Sequence, residues 1–99
     1  MKIISYSDLH LEFGHSWLPP QPLDGDVMVL AGDIMTLKDY SWLRRLLHDW
    51  NQPVLYVCGN HEYYTSVRMD EENKNFRSWL SKNYPNVTRF VFLCFMYCW

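Results

Sequence analysis

Four apolar runs divide the chain, and the first three stop on a polar or turn-forming residue. Ile3-Ile4-Ser5-Tyr6-Ser7 reads as a first strand, ended by Asp8. Val27 to Ala31 is apolar throughout, the mark of a strand buried on both faces of a parallel sheet. Gly32-Asp33 ends it. Val54 to Cys58 is a third such strand, broken by Gly59-Asn60. Val87 to about Leu93 follows the turn Pro85-Asn86 and makes a fourth. Between the second and third runs, Tyr40, Leu43, Leu46, Leu47 and Trp50 recur at helical spacing. Asp39 is placed to cap that helix and Asn51-Gln52-Pro53 to close it. A second helix is predicted from about Met69 to Asn83, with Asp70, Glu71 and Glu72 at the positive end of its dipole. Phe76, Trp79 and Leu80 form its apolar stripe, continued by Tyr84. The stretch from Leu9 to Asp26 carries Gly14, Pro19-Pro20, Pro22 and Asp24-Gly25-Asp26, so it reads as an irregular crossover. The order β-loop-β-α-β-α-β predicts an α/β layered fold with a mostly parallel sheet. No repeat, low-complexity stretch or linker divides residues 1–99, which are expected to form one domain.

Composition narrows the partners. Apolar residues make up 48%, which fits a packed globular chain. The net charge is -2 and the only basic pair is Arg44-Arg45, so no basic face exists for bulk nucleic-acid binding. No apolar run is long enough to span a membrane, and the start turns polar too soon for a signal peptide. The three cysteines, Cys58, Cys94 and Cys98, show no disulfide pattern and fit reduced, mostly buried thiols of a cytoplasmic protein.

The strand ends hold the chemistry. Asp8-Leu9-His10, Gly32-Asp33 and Gly59-Asn60-His61-Glu62 each follow directly on a predicted strand. If those strands are parallel, the motifs share one sheet edge, where open α/β sheets bind ligands. In extended geometry Asp8 and His10 would point the same way and reach one ion. Oxygen and imidazole donors suit manganese, iron, zinc or nickel. Asn60 offers a neutral amide oxygen, and His61 an imidazole able to protonate a leaving group. Taken singly, each motif also has a plain structural reading. Asp8 caps a turn, Asp33 sits in an ordinary loop, and Asn60 takes a left-handed turn with His61 and Glu62 outside. Tyr63 and Tyr64 either line the pocket or pack under the loop. His15 falls in the irregular loop, and His48 on the polar side of its helix is expected to be solvated.

Together the three motifs resemble the first signatures of the calcineurin-like metallophosphoesterases, in order and suitably spaced. The resemblance covers roughly residues 1 to 90. It implies the amino-terminal half of a four-layer αββα sandwich, and hydrolysis of phosphomonoesters or phosphodiesters by metal-activated water. By the resemblance, Asp8 and His10 bind a first divalent metal, Asp33 bridges two, Asn60 binds the second, and His61 is the general acid. The implied substrate is a phosphorylated small molecule or nucleotide.

The family also carries later histidine signatures, and this sequence has no histidine after His61. Catalytic metals usually take about three protein ligands. The first metal would keep Asp8, His10 and Asp33, and the second only Asp33 and Asn60. The segment Leu93 to Trp99 has neither turn residues nor a charge. It reads either as out-of-frame sequence on a truncated domain or as a true terminal strand. Three expectations follow: a half-site enzyme fragment with little activity alone, a non-catalytic binding module of the same fold, or one half of a split enzyme. In the last, a second chain would complete the site against the sheet face left open.

Overall fold

The chain's computed structural model describes residues 1–13, 19 and 24–91, the last two as backbone alone. His15, Pro20, Pro22 and the tail from Phe92 to Trp99, with Cys94 and Cys98, lie outside the described residues. Four strands form: β1 (Ile3–Tyr6), β2 (Val27–Ala31), β3 (Val54–Cys58) and β4 (Val87–Val91). They lie side by side in chain order, and every pair is parallel. The register sets Leu30 between Tyr6 and Tyr56, so the carboxyl ends of β1, β2 and β3 fall along one edge.

Parallel neighbours need crossovers. Helix α1 (Ser41–Leu46) joins β2 to β3, and α2 (Met69–Asn83) joins β3 to β4. α2 has the predicted bounds, but α1 is shorter than its apolar period. The Asp39 carboxylate accepts the Ser41 N–H at 2.9 Å, but the N-cap falls on Tyr40, one residue later than expected, and makes no side-chain cap bond. At the other end the chain tightens, and Trp50 N–H bonds the Leu47 carbonyl three residues back. Leu47 and Trp50 remain buried, so the period marks burial correctly and overstates the helix. His48 is exposed in this turn, 82% for the side chain, as expected.

Both helices cover the same sheet face. Met28, Leu30, Val54 and Tyr56 point into it, and Leu43, Leu46, Leu47, Phe76 and Leu80 meet them from the helices, all buried. Phe76 is the keystone, with its ring 5.3 Å from both Tyr40 and Tyr56. Arg44 locks the helices together: its guanidinium lies 5.1 Å from the Trp79 ring and donates to Asn83 Oδ1 at 2.7 Å.

The opposite face departs from the expectation of burial on both sides. Ile3 is 61% exposed and Leu55 36%, and Val27, Val29 and Val57 are only half-buried. The apolar runs supply side chains for two covered faces, and the two helical crossovers cover one. Among the described residues no helix is long and apolar enough to cross a membrane.

Candidate metal centre at the strand ends

Past the strands, the three loops stay tied together. Asp8 N–H bonds the Gly32 carbonyl at 3.0 Å, His10 N–H that of Asp33 at 3.0 Å, and Leu11 N–H that of Ile34 at 2.8 Å. The backbone that allows this is unusual. Asp8, His10 and Asp33 take φ values of 54°, 48° and 53°, and they are the only non-glycine residues described with positive φ. That conformation costs an L-residue roughly 1–2 kcal/mol. The alignment of Asp8 with His10 therefore comes from left-handed turns and not from the extended geometry expected. The left-handed position expected at Asn60 is absent, since its φ is -68°.

Glu62 holds the second loop to the third. It is fully buried and accepts five hydrogen bonds, a role the sequence reading missed by placing it outside. The donors are the N–H groups of Asp33 (2.8 Å), Ile34 (2.7 Å), Met35 (3.0 Å) and Gly59 (2.6 Å), and the Tyr56 hydroxyl (3.0 Å). Burial pushes its carboxyl up, while the donors pull it back toward the ionised form. Only the Gly-Asn-His-Glu order could have hinted at it, because an acid four residues past a strand end can turn back onto that end. Gly59 is required in the same place. A Cβ there would stand 2.5 Å from Asp33 Oδ1 and 2.9 Å from Asp33 N.

This clamp delivers the side chains. The Asp33 carboxylate accepts the His61 N–H at 2.8 Å and so faces the third loop. His10, Asp33 and His61 present donor atoms within 4.8 Å of one another. Bonds of about 2.0–2.2 Å place two ligands of one ion at most about 4.3 Å apart, so a small closure suffices. Asp8 Oδ1 lies 3.9 Å from His10 Nε2, within that limit, although its side chain is 66% exposed. The Asn60 amide has one end 3.1–3.2 Å from both Asp33 oxygens and the other 2.8 Å from the Tyr64 hydroxyl. With its nitrogen toward Asp33 it donates a hydrogen bond. With its oxygen there, the facing acceptors need a cation between them, so one amide rotation converts a hydrogen bond into a ligand pair.

Glu12, which sequence reading passed over, belongs to the site. Its side chain is 12% exposed, and Oε1 stands 4.0 Å from His10 Nδ1 and 3.9 Å from His61 Nδ1. Neither carboxylate oxygen has a hydrogen-bond partner, and neither has His10 Nδ1. On a small closure this carboxylate would accept from the imidazoles and so set which ring nitrogen faces an ion. It also adds to a cluster of acids, Asp8, Glu12 and Asp33, whose summed charge favours a cation. The donor set thus fits a divalent metal.

The two tyrosines separate. Tyr63 is half-buried and donates to Asn73 Oδ1 at 2.5 Å, so it packs under the loop. Tyr64 is 57% exposed against His61. Cys58 lies below the edge, its thiol pushed up to about 12 by burial, and takes no part in the donor set. A groove between α2 and β4, lined by Arg77, Leu80 and Thr88 among others, lies at the opposite end of the sheet and shares no residue with the centre.

Among known families, the model of the calcineurin-like phosphoesterases matches residues 1–96. No curated protein and no solved structure matches the chain.

Proposed function

The chain belongs to the calcineurin-like phosphoesterase family, and on that premise we propose that its strand-end centre serves metal-dependent hydrolysis of a phosphoester. The observation that carries this reading is the convergence of His10, Asp33 and His61 within 4.8 Å, on loops held in left-handed backbone. A divalent ion held there would neutralise phosphate charge and lower the pKa of water. Asp8, His10 and Asp33 are its ligands in this reading, and Asn60 turns its amide oxygen in to share a second ion with Asp33. Glu12, 3.9–4.0 Å from both Nδ1 atoms, would take their N–H groups on a small closure. His61, as an imidazolium with protons on both nitrogens, would give the Nε2 proton to the departing oxygen and keep the Nδ1 proton facing Glu12. Among the described residues Asp33 and Asn60 alone would serve the second ion, so a second chain bringing further ligands would complete the site, and the chain alone would turn over slowly at best.

Titration of the purified chain with manganese, iron and zinc, followed by a chromogenic phosphodiester assay, tests this. Metal binding that disappears in Asp33→Ala supports it. An Asp33→Ala chain that binds metal as tightly as its parent refutes it. The position of His61 inside the cluster favours a second role, as a ligand. His61→Gln separates the two: a general acid leaves metal affinity intact, and a ligand takes most of it away.

A further inference from the structure

Two aromatic rings stand at the mouth of the centre. Phe13 is 68% exposed and Tyr64 57%, and every other described aromatic side chain is buried or half-buried. Both exposed rings pack on the same imidazole. Phe13 lies 6.1 Å from the His61 ring, nearly perpendicular to it, and 5.8 Å from His10. Tyr64 lies 4.6 Å from His61 at a 39° tilt.

The sequence arranges this twice by one device. Each histidine opens a short 3₁₀ turn, closed by Phe13 N–H to the His10 carbonyl and by Tyr64 N–H to the His61 carbonyl, both at 3.1 Å. Residues three apart overlay in such a turn. His10-x-x-Phe13 and His61-x-x-Tyr64 therefore each set an aromatic ring over an imidazole. The Tyr64 ring is also anchored, because its hydroxyl meets the Asn60 amide at 2.8 Å.

Flat apolar faces contribute nothing to holding a phosphate or an ion. On the reading above, His61 protonates the leaving oxygen, so whatever flanks His61 touches the leaving group. We infer that Phe13 and Tyr64 select a phosphoester whose leaving group is a planar aromatic: a nucleoside, bound through its base, or an aryl alcohol. The inference rests on the phosphoester reading.

Calorimetric titration of the full chain with manganese present, using adenosine 5′-monophosphate, phenyl phosphate and ribose 5-phosphate, tests both claims separately. The aromatic ligands are expected to bind on the order of tenfold tighter than ribose 5-phosphate. That preference should shrink toward unity in Phe13→Leu and Tyr64→Ala, and persist in Tyr64→Phe, which keeps the ring. The order of the two aromatic ligands identifies base or aryl group as the better match. Equal binding of all three overturns the inference and leaves the phosphoester reading standing. A preference that survives loss of both rings also overturns it. If manganese binds and none of the three phosphates does, the phosphoester reading itself falls.

Discussion

Removing the Glu62 carboxylate should unfold most of the domain's margin. The sign is not obvious, because taking an ionised carboxylate out of water costs several kcal/mol, and apolar replacement of buried ions is often neutral. What decides it is the set of groups left behind. Glu62 is the acceptor for the N–H groups of Asp33, Ile34, Met35 and Gly59 and for the Tyr56 hydroxyl. Ile34 and Met35 are fully buried, so no water can replace the lost acceptor there. Each orphaned donor costs about 1–3 kcal/mol, so these two alone give about 2–6 kcal/mol. A domain of this length has only about 5–15 kcal/mol in total.

Glu62→Gln is the informative variant. It keeps the volume and one carbonyl oxygen, but it turns an NH₂ onto backbone donors, and a loss of about 2–4 kcal/mol is expected. With a urea slope of about 1–2 kcal/mol/M, the midpoint should drop by about 1–4 M. Urea titration followed by tryptophan fluorescence reads this directly, with exposed Lys74→Gln in the middle of α2 as a control expected within about 0.5 kcal/mol. A Glu62→Gln midpoint that coincides with the control would refute the clamp.

Gly59→Ala drives a methyl to 2.5 Å from Asp33 Oδ1 and should weaken metal binding at least tenfold by calorimetry, because that carboxylate must move. Glu12→Leu should lower metal affinity about 10–100-fold, and Glu12→Gln, whose carbonyl oxygen can take the place of Oε1 facing the imidazoles, should recover much of it. Asp8→Gly relieves a φ of 54°, so stability should hold within about 1 kcal/mol while metal affinity falls; a larger stability loss would show Asp8 to be a fold residue. The Cys58 thiol, held up at about 12, stays protonated in the folded chain while the unfolded thiol ionises near pH 9. Its stabilisation is complete below pH 9 and lost as pH rises toward 12, by up to about 1.4 kcal/mol per pH unit. Denaturation midpoints between pH 8 and 10.5, in a chain with Cys94 and Cys98 replaced by serine, should fall, and Cys58→Ala should flatten that slope.

The sheet was legible because strand burial is a local property of sequence. Val27–Ala31 and Val54–Cys58 are apolar runs bounded by glycine, and they pair over those bounds. The site was legible only as an inventory. Spacing placed Asp8, His10, Asp33, Asn60 and His61 at one edge, but it said nothing of how the loops are held there. That depends on contacts between residues nearly thirty apart, such as Glu62 to Asp33, which no period encodes. Glu12 was invisible for the same reason, since its meaning comes from His61 in another loop. The backbone at these motifs carries a conformation that their spacing did not announce. Glycine costs least at positive φ, and Asn, Asp and His are the other residues most often found there. Here glycine occupies one such position, Gly32, and the other three hold Asp8, His10 and Asp33. Strain of roughly 1–2 kcal/mol at each is tolerable because the Glu62 clamp and the loop hydrogen bonds over-determine the backbone. Those three strained positions are also three of the four ligands that the family resemblance implies. The folding cost and the ligand assignment thus fall on the same residues through independent arguments.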